Sequence, residues 1–314
     1  MNLLYCFDEN YNRQTFISIC SFLEQSEDNL NIYIIHQNPE SFKEYEVELR
    51  KEKNINLYIF KFMNPNNIKM PIGKGHITEA TYYRIFIDQL LPKEVNQILY
   101  IDSDIICLKN IESVYKNTFK NLNNSMFCIG AMTGAEKNRD NVELFTNLEI
   151  DSLYFNAGVM FIDLKKWKEL KLSDKFQEHL LKIKEKIIFH DQDVMNSYLN
   201  GEYLQIEEEL NFFVNKNTSA ERLEQIKENV FLIHYAGSKK PWTFEGSVDK
   251  ASYYYQNLNI KYLNSYHLIS TYKRKDFLLL IMRILNLKIL NSPKPLKLIY
   301  DSISNLLIND KEKT

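Results

Sequence analysis

Apolar and polar residues alternate in blocks along the first part of the chain. Short apolar runs at 2–7, 31–36 and 55–60 predict buried strands. The segments between them, such as 11–25 and 41–53, carry apolar residues at helical spacing. This alternation of strands and helices predicts an α/β fold with a mostly parallel sheet and helices on both faces.

The pattern continues through the middle of the chain. A helix is predicted over 76–92, ending before Pro92, and the apolar run 98–106 predicts one more buried strand. Further elements are predicted downstream, namely a strand that runs into a helix at 154–167, a helix at 190–200 and a buried strand at 230–237.

The C-terminal segment differs in charge from the rest. Residues 261–314 contain ten Lys or Arg and four Asp or Glu, a local net charge of +6, whereas residues 1–260 carry −8. Basic and apolar residues there recur at helical spacing, so we predict a main α/β domain at 1–262 and a small helical extension at 263–314. Residues 273–298 have two interpretations: contact with an anionic membrane surface, or packing as an added helical domain or homo-oligomer contact.

The composition excludes several classes of protein. A net charge of −2 over 314 residues provides no field for nucleic acid. Four widely spaced cysteines, with no CxxC motif, predict reduced thiols. The sequence lacks the pattern of a signal peptide or a membrane-spanning segment, which predicts a cytoplasmic protein, either free or peripheral at the inner face of the cell membrane.

Two carboxylates interrupt the apolar run Ile98–Ile106, "ILYIDSDII". Because a bare carboxylate is costly in an apolar environment, Asp102 and Asp104 predict a bound cation. Oxygen ligands suit Mg²⁺ or Mn²⁺, and an added imidazole from His234 favours Mn²⁺. The alternatives are a solvated turn for the two acids and a core position for the histidine.

A diphosphate site is predicted next to these acids. His234 ends an apolar run and is followed by Gly237, which permits close backbone approach, and by Lys240, which offers a positive charge. Acids, a metal, a glycine and a lysine together are typical of a site that binds a diphosphate.

Five segments in order resemble one known family. They are "HITEATYYR", "YIDSDII", "YFNAGVMFIDLKKW", "HDQDVMN" and "HYAGSKKPW". Over about residues 1–245 the chain resembles glycosyltransferase family 8. The resemblance implies a GT-A fold, a UDP-glucose or UDP-galactose donor, Mn²⁺ with Mg²⁺ as the alternative, and transfer with retention of anomeric configuration.

The resemblance also implies roles for individual residues. It makes Asp102, Asp104 and His234 the metal ligands, and it puts Gly237 and Lys240 beside the nucleotide diphosphate. Ser103, between the two acids, is also expected to be a cofactor-binding residue. Asp8, Asn10 and Tyr11 match nucleoside contacts, with Tyr11 stacked on uracil. From the residues alone, Asp8 is equally well a helix cap and Tyr11 a packing residue.

The remaining matched residues surround the sugars. The resemblance implies that Arg84, Asn156, Asp191 and Gln192 lie around the donor sugar and that His76 contacts the acceptor. Gln192 is then the residue nearest the anomeric carbon, and it is a poor nucleophile. We therefore expect front-face departure and attack, in which the UDP phosphate takes the acceptor proton. Read without the family, Arg84 pairs with an acid, Asn156 caps or bridges strands, and "HDQD" is a helix N-terminus.

The predicted function is that of a metal-dependent retaining hexosyltransferase. Its partners are a UDP-sugar donor and a saccharide, glycolipid or glycoprotein acceptor at the cell surface. Two other hypotheses are a catalytically silent sugar-nucleotide-binding scaffold and a UDP-sugar hydrolase that uses water as the acceptor.

Overall fold

The chain forms two units. The computed structural model describes residues 1–64, 68, 70–71, 78–151, 153–214, 218–237, 240–270 and 272–307. The first unit comprises Met1–Phe16, Leu23–Ser103 and Asn110–Asn211. The second comprises Ile17–Phe22, Asp104–Lys109 and the chain from Phe212 onward.

The described residues contain strands and helices along the whole chain. The strands are β1 (Asn2–Phe7), β2 (Leu30–His36), β3 (Ile55–Lys61), β4 (Gln97–Ile101), β5 (Ile105–Cys107), β6 (Ile129–Glu136), β7 (Leu153–Asp163), β8 (Leu204–Gln205), β9 (Phe212–Phe213) and β10 (Leu232–His234). The α-helices are α1 (Asn12–Gln25), α2 (Lys43–Leu49), α3 (Ile87–Leu90), α4 (Glu112–Asn124), α5 (Val142–Asn147), α6 (Leu164–Glu169), α7 (Leu172–Ile183), α8 (His190–Leu199), α9 (Ala220–Asn229), α10 (Ser252–Leu263), α11 (Lys273–Leu285) and α12 (Pro295–Leu307).

A seven-stranded sheet is the centre of the first unit. Its order is β3-β2-β1-β4-β7-β6-β8. The pairs β3-β2, β2-β1, β1-β4 and β6-β8 are parallel, which confirms the predicted α/β class with a mostly parallel sheet. Strand β7 runs antiparallel to both β4 and β6, a reversal that the regular alternation did not predict. Strand β7 has antiparallel neighbours on both sides, whereas helical crossovers join the parallel strands β1 to β3.

The predicted single strand at 98–106 is wrong. Strand β4 ends at Ile101, and β5 begins at Ile105 in a different sheet. Two acidic side chains with one residue between them cannot both stay in an apolar strand environment, so the backbone turns at Asp102–Ser103–Asp104. The same segment therefore ends a central strand in the first unit and begins an edge strand in the second.

Several predicted helices are shorter or tighter than expected. The described part of 76–92 is a 3₁₀ segment, Glu79–Phe86, that continues into the single turn α3. In place of one helix over 41–53, the chain forms a 3₁₀ turn, Pro39–Phe42, followed by the seven-residue α2. The strand predicted at 230–237 covers only β10.

The first unit has a large apolar core, to which strand β7 contributes Phe155, Met160 and Ile162. Val159 and Phe161 of the same strand are buried as well. On β7 the ring of Phe161 packs edge-on against Phe119 of α4, with centroids 5.4 Å apart. In the two units together, Cys6, Cys20, Cys107 and Cys128 are all buried, and no disulfide joins them.

The second unit contains a three-stranded sheet in the order β5-β10-β9. A smaller apolar cluster that includes Phe244, Tyr266, Leu280 and Leu298 holds its helices together. Among the residues that the structure describes, no helix combines the length and apolar character that crossing a bilayer requires. The domain boundary predicted at 262/263 stays a prediction.

Truncation of Phe161 to Ala should destabilise the first unit strongly. The side chain is fully buried between strand and helix, so its loss leaves a cavity and should lower the free energy of unfolding by about 3–5 kcal/mol. Urea unfolding of Phe161→Ala measures this. Met126→Ala, whose side chain is 83% exposed, serves as the control and should change stability by less than about 0.5 kcal/mol. Equal effects of the two substitutions would contradict the assignment of the core.

Candidate active site

The turn after β4 presents two carboxylates that have different environments. The backbone N–H of Asp102 donates to Gly158 O on β7 at 2.8 Å, which continues the strand ladder by one residue. Asp104 O accepts from Tyr235 N at 3.1 Å, which ties the start of β5 to the end of β10. Between them Ser103 is buried, and its hydroxyl lies 2.7 Å from that of Thr15. Both acids are therefore fixed by their own backbone.

Asp104 is buried against two basic residues of the second unit. His234 ends β10, and its Nε2 lies 3.4 Å from Asp104 Oδ1. Lys240 forms an ion pair with Asp104 Oδ2 and donates a hydrogen bond to Tyr235 O at 2.8 Å. Burial alone would raise the pKa of Asp104, but the charges of Lys240 and His234 outweigh it and lower that pKa. Asp104 is therefore an anion over the whole physiological pH range.

The acids and the histidine offer a donor set for a divalent cation. One ligand atom from each of Asp102, Asp104 and His234 lies within 4.8 Å of the others. Carboxylate oxygens with one imidazole suit Mn²⁺ or Mg²⁺, and a cation at this point would also compensate the two acids. The residues present therefore fit the metal that the sequence predicts.

Gly237 follows this group in a conformation that favours glycine. Its φ is +85°, in the left-handed region, and a Cβ built there would meet no atom within 4 Å. The backbone is thus accessible from that side, as close approach by a ligand requires.

A buried arginine joins two acids in the first unit. Arg84 Nε lies 2.8 Å from Asp191 Oδ2, and Arg84 Nη1 lies 3.2 Å from Asp102 Oδ1. The same Nη1 donates to Ala157 O at 2.6 Å, and the guanidinium lies 4.2 Å from the ring centroid of Tyr100. Burial disfavours the charge on Arg84, but the two carboxylates raise its pKa above the ordinary value.

Asp191 is the most completely buried acid of this group. It is 1% exposed at the start of α8, next to His190, whose φ is +56°. Thr81 donates a hydrogen bond to its Oδ1. Burial raises the pKa of Asp191 to about 6, although the positive charge of Arg84 and the hydrogen bond from Thr81 oppose that rise.

The amide of Gln192 is held on both sides. Its Oε1 accepts from Asn156 Nδ2 at 3.1 Å and from Ala157 N at 2.9 Å. Its Nε2 donates to the hydroxyl of Tyr154 at 3.0 Å. Asn156 Oδ1 in turn accepts from Asn211 Nδ2 at 2.9 Å. Asn156 and Gln192, both predicted site residues, therefore form one hydrogen-bonded group.

Sequence reasoning missed the residues that support this group. Tyr154 donates to Asp193 Oδ1 at 2.5 Å, and Asp193 Oδ2 accepts from Ile188 N and Phe189 N, each at 2.6 Å. Asp193 thus fixes the start of α8 and the tyrosine that contacts Gln192. Asp193, the second acid of "HDQD", was the one signal in the sequence for this support. Its partner Tyr154 lies 39 positions away, so the pair could not be recognised from spacing.

The residues predicted to contact the nucleoside lie at the carboxyl end of β1. Asp8 is buried, and its Oδ1 accepts from Asn10 N at 3.0 Å, so it caps the 3₁₀ turn Glu9–Tyr11. Asn10 is exposed, whereas Tyr11 is half-buried. The capping role that the sequence left open for Asp8 is present, and it leaves the second carboxylate oxygen for other contacts. His76, the predicted acceptor residue, lies outside the described residues.

The fold defines a class of protein. The galactosyltransferase LgtC, solved with donor and acceptor sugar analogues, matches with a TM-score of 0.67 at 18% identity, over 88% of this chain and 100% of that one. The glycosyltransferase GlyE of Streptococcus pneumoniae matches with a TM-score of 0.56 at 22% identity, over 77% and 55%. These matches confirm the predicted GT-A fold.

Sequence comparison identifies the family. Residues 2–246 match Glycosyl transferase family 8. The chain is 29% identical over 251 residues to a lipopolysaccharide 1,2-glucosyltransferase of Escherichia coli K12, covering 77% of this chain and 72% of that protein. It is 25% identical to general stress protein A of Bacillus subtilis, covering 77% and 87%. The chain belongs to glycosyltransferase family 8, which confirms the predicted resemblance and makes it a glycosyltransferase.

The raised pKa of Asp191 predicts a pH dependence of stability. The carboxyl group has a pKa of 3.8 when unfolded and about 6 when folded, so the folded protein holds more protons between those values. The free energy of unfolding should therefore fall as pH rises from about 4 to about 6. Asp191→Asn cannot ionise at this position. Over that interval the free energy of unfolding of the native chain should fall by about 1–3 kcal/mol more than that of Asp191→Asn.

Urea unfolding of both proteins between pH 4 and pH 7 measures this difference. Asp174→Asn, which removes an exposed acid on α7, is the matched control and should show a flat difference. A flat difference for Asp191→Asn as well would contradict the elevated pKa.

Proposed function

We propose that the protein is a metal-dependent, retaining hexosyltransferase that moves glucose or galactose from a UDP-sugar to a hydroxyl group of a cell-surface saccharide. The observation that carries this proposal is the Asp102, Asp104 and His234 donor set next to Lys240. When bound, a divalent ion supplies positive charge for the diphosphate of the departing UDP. Mn²⁺ is the expected ion, and Mg²⁺ is the alternative.

The chain's own residues divide the remaining work. Lys240, which is only partly exposed and now pairs with Asp104, would bind a diphosphate oxygen. Gly237 would let the backbone approach the same group. Asp8 and Asn10 would hydrogen-bond the base and ribose while Tyr11 stacks on uracil, and Ser103 would help to hold the turn that presents the two acids.

Arg84 and Asp191 would position the donor sugar. Arg84 already bridges Asp102 and Asp191, so the acid that binds the sugar is linked through one guanidinium to the acid that binds the metal. Ionised Asp191 accepts hydrogen bonds from sugar hydroxyls. Its burial and its ion pair disfavour its use as a nucleophile.

Gln192 would lie next to the anomeric carbon. Its amide is oriented by Asn156, Ala157 and Tyr154, and it would stabilise positive charge that develops on the sugar. Because an amide is a poor nucleophile and the burial and ion pair of Asp191 disfavour it in that role, we take departure and attack on the same face as the route to retention. The leaving phosphate would take the proton of the acceptor hydroxyl, and His76 would contact the acceptor.

The relatives support the choice of sugar and acceptor. Two of them carry the names lipopolysaccharide 1,2-glucosyltransferase and lipopolysaccharide 1,3-galactosyltransferase. We therefore propose glucose or galactose as the transferred hexose and a saccharide or glycolipid as the acceptor, with glycoproteins as the alternative. The two donors differ in the direction of one hydroxyl group.

Substitution of Asp104 by Asn should weaken metal-dependent donor binding. Calorimetric titration with UDP-glucose and UDP-galactose, each with Mn²⁺ and with chelator, should show metal-dependent binding of one donor to the native chain. Asp104→Asn removes a charged ligand and should weaken Mn²⁺ binding by at least about tenfold. Asp174→Asn is the control and should bind as the native chain does.

Two results would contradict the proposal. Absence of binding of both donors under every metal condition would exclude UDP-sugar transfer. Donor cleavage that a saccharide acceptor does not accelerate would favour the hydrolase instead.

We also propose that the extension contacts an anionic membrane at the inner face of the cell. Helices α11 and α12 expose large apolar side chains, among them Leu285 at 74%, Leu296 at 83% and Tyr300 at 70%. Basic residues flank them, including Lys273, Arg274 and Lys275 at the start of α11. An apolar face bordered by cations is typical of helices that lie in the membrane interface.

Removal of two exposed leucines tests the membrane proposal. Leu285→Ser/Leu296→Ser should weaken cosedimentation with vesicles of phosphatidylglycerol and phosphatidylcholine by at least about tenfold, because both side chains would be buried in lipid. Leu170→Ser, at an exposed position of the first unit, is the control. Unchanged vesicle binding, together with a dimer in sedimentation velocity that the double variant dissociates, would favour a homo-oligomer contact.

A further inference from the structure

A second buried arginine lies in the second unit, far along the chain from the proposed donor site. Arg283 of α11 is 5% exposed. Its Nη1 donates to Ser247 Oγ at 3.2 Å, and its Nη2 donates to Phe244 O. Among the residues that the structure describes, no carboxylate oxygen lies within 4.0 Å of its nitrogens. This buried cation is therefore held by neutral acceptors alone.

Such an arrangement is unfavourable without an anion. A guanidinium has five N–H donors and keeps its charge, so two neutral acceptors leave both its charge and part of its hydrogen-bonding capacity uncompensated. Burial lowers the pKa of Arg283 to about 10, and the charge of Asp276 opposes this only in part. Asp276 is itself engaged by Ser270 Oγ at 2.7 Å.

Arg283 lines a cleft that carries an excess of positive charge. The empty space, including the mouth that opens to solvent, is about 400 Å³. Lys250 and Lys288 line it as well, and in the described part of the chain neither forms an ion pair. The hydroxyl group of Tyr253 also lines it, whereas those of Ser252 and Ser292 already donate to Ser247 O and Ile289 O.

One carboxylate faces these three cations, and it is already occupied. Asp249 Oδ2 accepts from Thr218 N at 2.7 Å. Its Oδ1 accepts from Thr218 Oγ1 at 2.6 Å and from Ala251 N at 2.8 Å. Asp249 therefore caps the local backbone, and the lining residues keep a net charge of +2.

We propose that this cleft binds a phosphate group through Arg283, Lys250 and Lys288. A tetrahedral anion with several oxygens matches a guanidinium fork with two flexible ammonium groups, and the hydroxyl group of Tyr253 adds a neutral donor. The anion supplies the compensation that Arg283 lacks within the chain. The phosphate is either free or part of a lipid headgroup, and both share the chemistry that the cleft recognises.

The test uses the two exposed lysines, because loss of Arg283 would also remove its contacts with Phe244 and Ser247. Isothermal titration with inorganic phosphate, in chelator and at constant ionic strength, compares the native chain with Lys250→Ala/Lys288→Ala. The double variant loses two charged contacts and should bind at least about tenfold more weakly. Lys294→Ala removes an exposed lysine of the same segment outside the cleft and should stay within about twofold.

A second arm identifies the source of the phosphate. Vesicles of phosphatidylcholine with and without phosphatidic acid are sedimented with the same three proteins. If the protein binds vesicles only when they contain phosphatidic acid, and only the double variant loses this binding, the result supports a phosphate site whose ligand is a lipid headgroup. This holds even where inorganic phosphate fails to bind. If the protein binds inorganic phosphate but not the vesicles, the result supports a phosphate site whose ligand is free phosphate.

The proposal is overturned in two ways. The first is that neither probe binds the native chain. The second is that Lys294→Ala weakens binding as much as the double variant does, which would mean a diffuse attraction to positive charge. Both readouts are independent of sugar transfer, so the cleft and the proposed transferase activity can fail separately.

Discussion

The compensation of buried carboxylates by cations is the constraint on which the rest of the site depends. Asp102 and Asp104 follow directly on an apolar strand, and each needs positive charge nearby. Asp102 obtains it from Arg84, and Asp104 obtains it from Lys240. The break between β4 and β5 follows from the same requirement, because a continuous strand would direct both side chains to surroundings that could not compensate them.

Arg84 extends this constraint beyond the metal-binding acids. It pairs with Asp191 as well as Asp102, and it donates to Ala157 O on β7. The amide of Gln192 is anchored on the neighbouring Ala157 N. One cation on a 3₁₀ segment thus fixes two acids and a strand, so loss of Arg84 would leave two carboxylates without their partner and disturb the group around Gln192.

Much of the site could be predicted from the sequence because strand ends are local features. The positions of Asp8, Asp102 and His234 at the ends of apolar runs follow from the pattern alone. The direction of β7 and the contacts of Tyr154 with Asp193 and Gln192 could not be predicted, since they join residues 38 or 39 positions apart through tertiary packing. Propensity and spacing carry no information about such pairs.

The two buried arginines show how differently the same side chain is used. Arg84 and Arg283 have the same exposure, 5%, yet their pKa values shift in opposite directions. Carboxylates outweigh burial at Arg84, whereas burial prevails at Arg283, whose direct hydrogen-bond acceptors are neutral. An ion pair that is complete within the chain needs no ligand. A buried guanidinium that faces a cleft with two further cations is best explained by an anion from outside the chain, which would make the second unit a binding element in its own right.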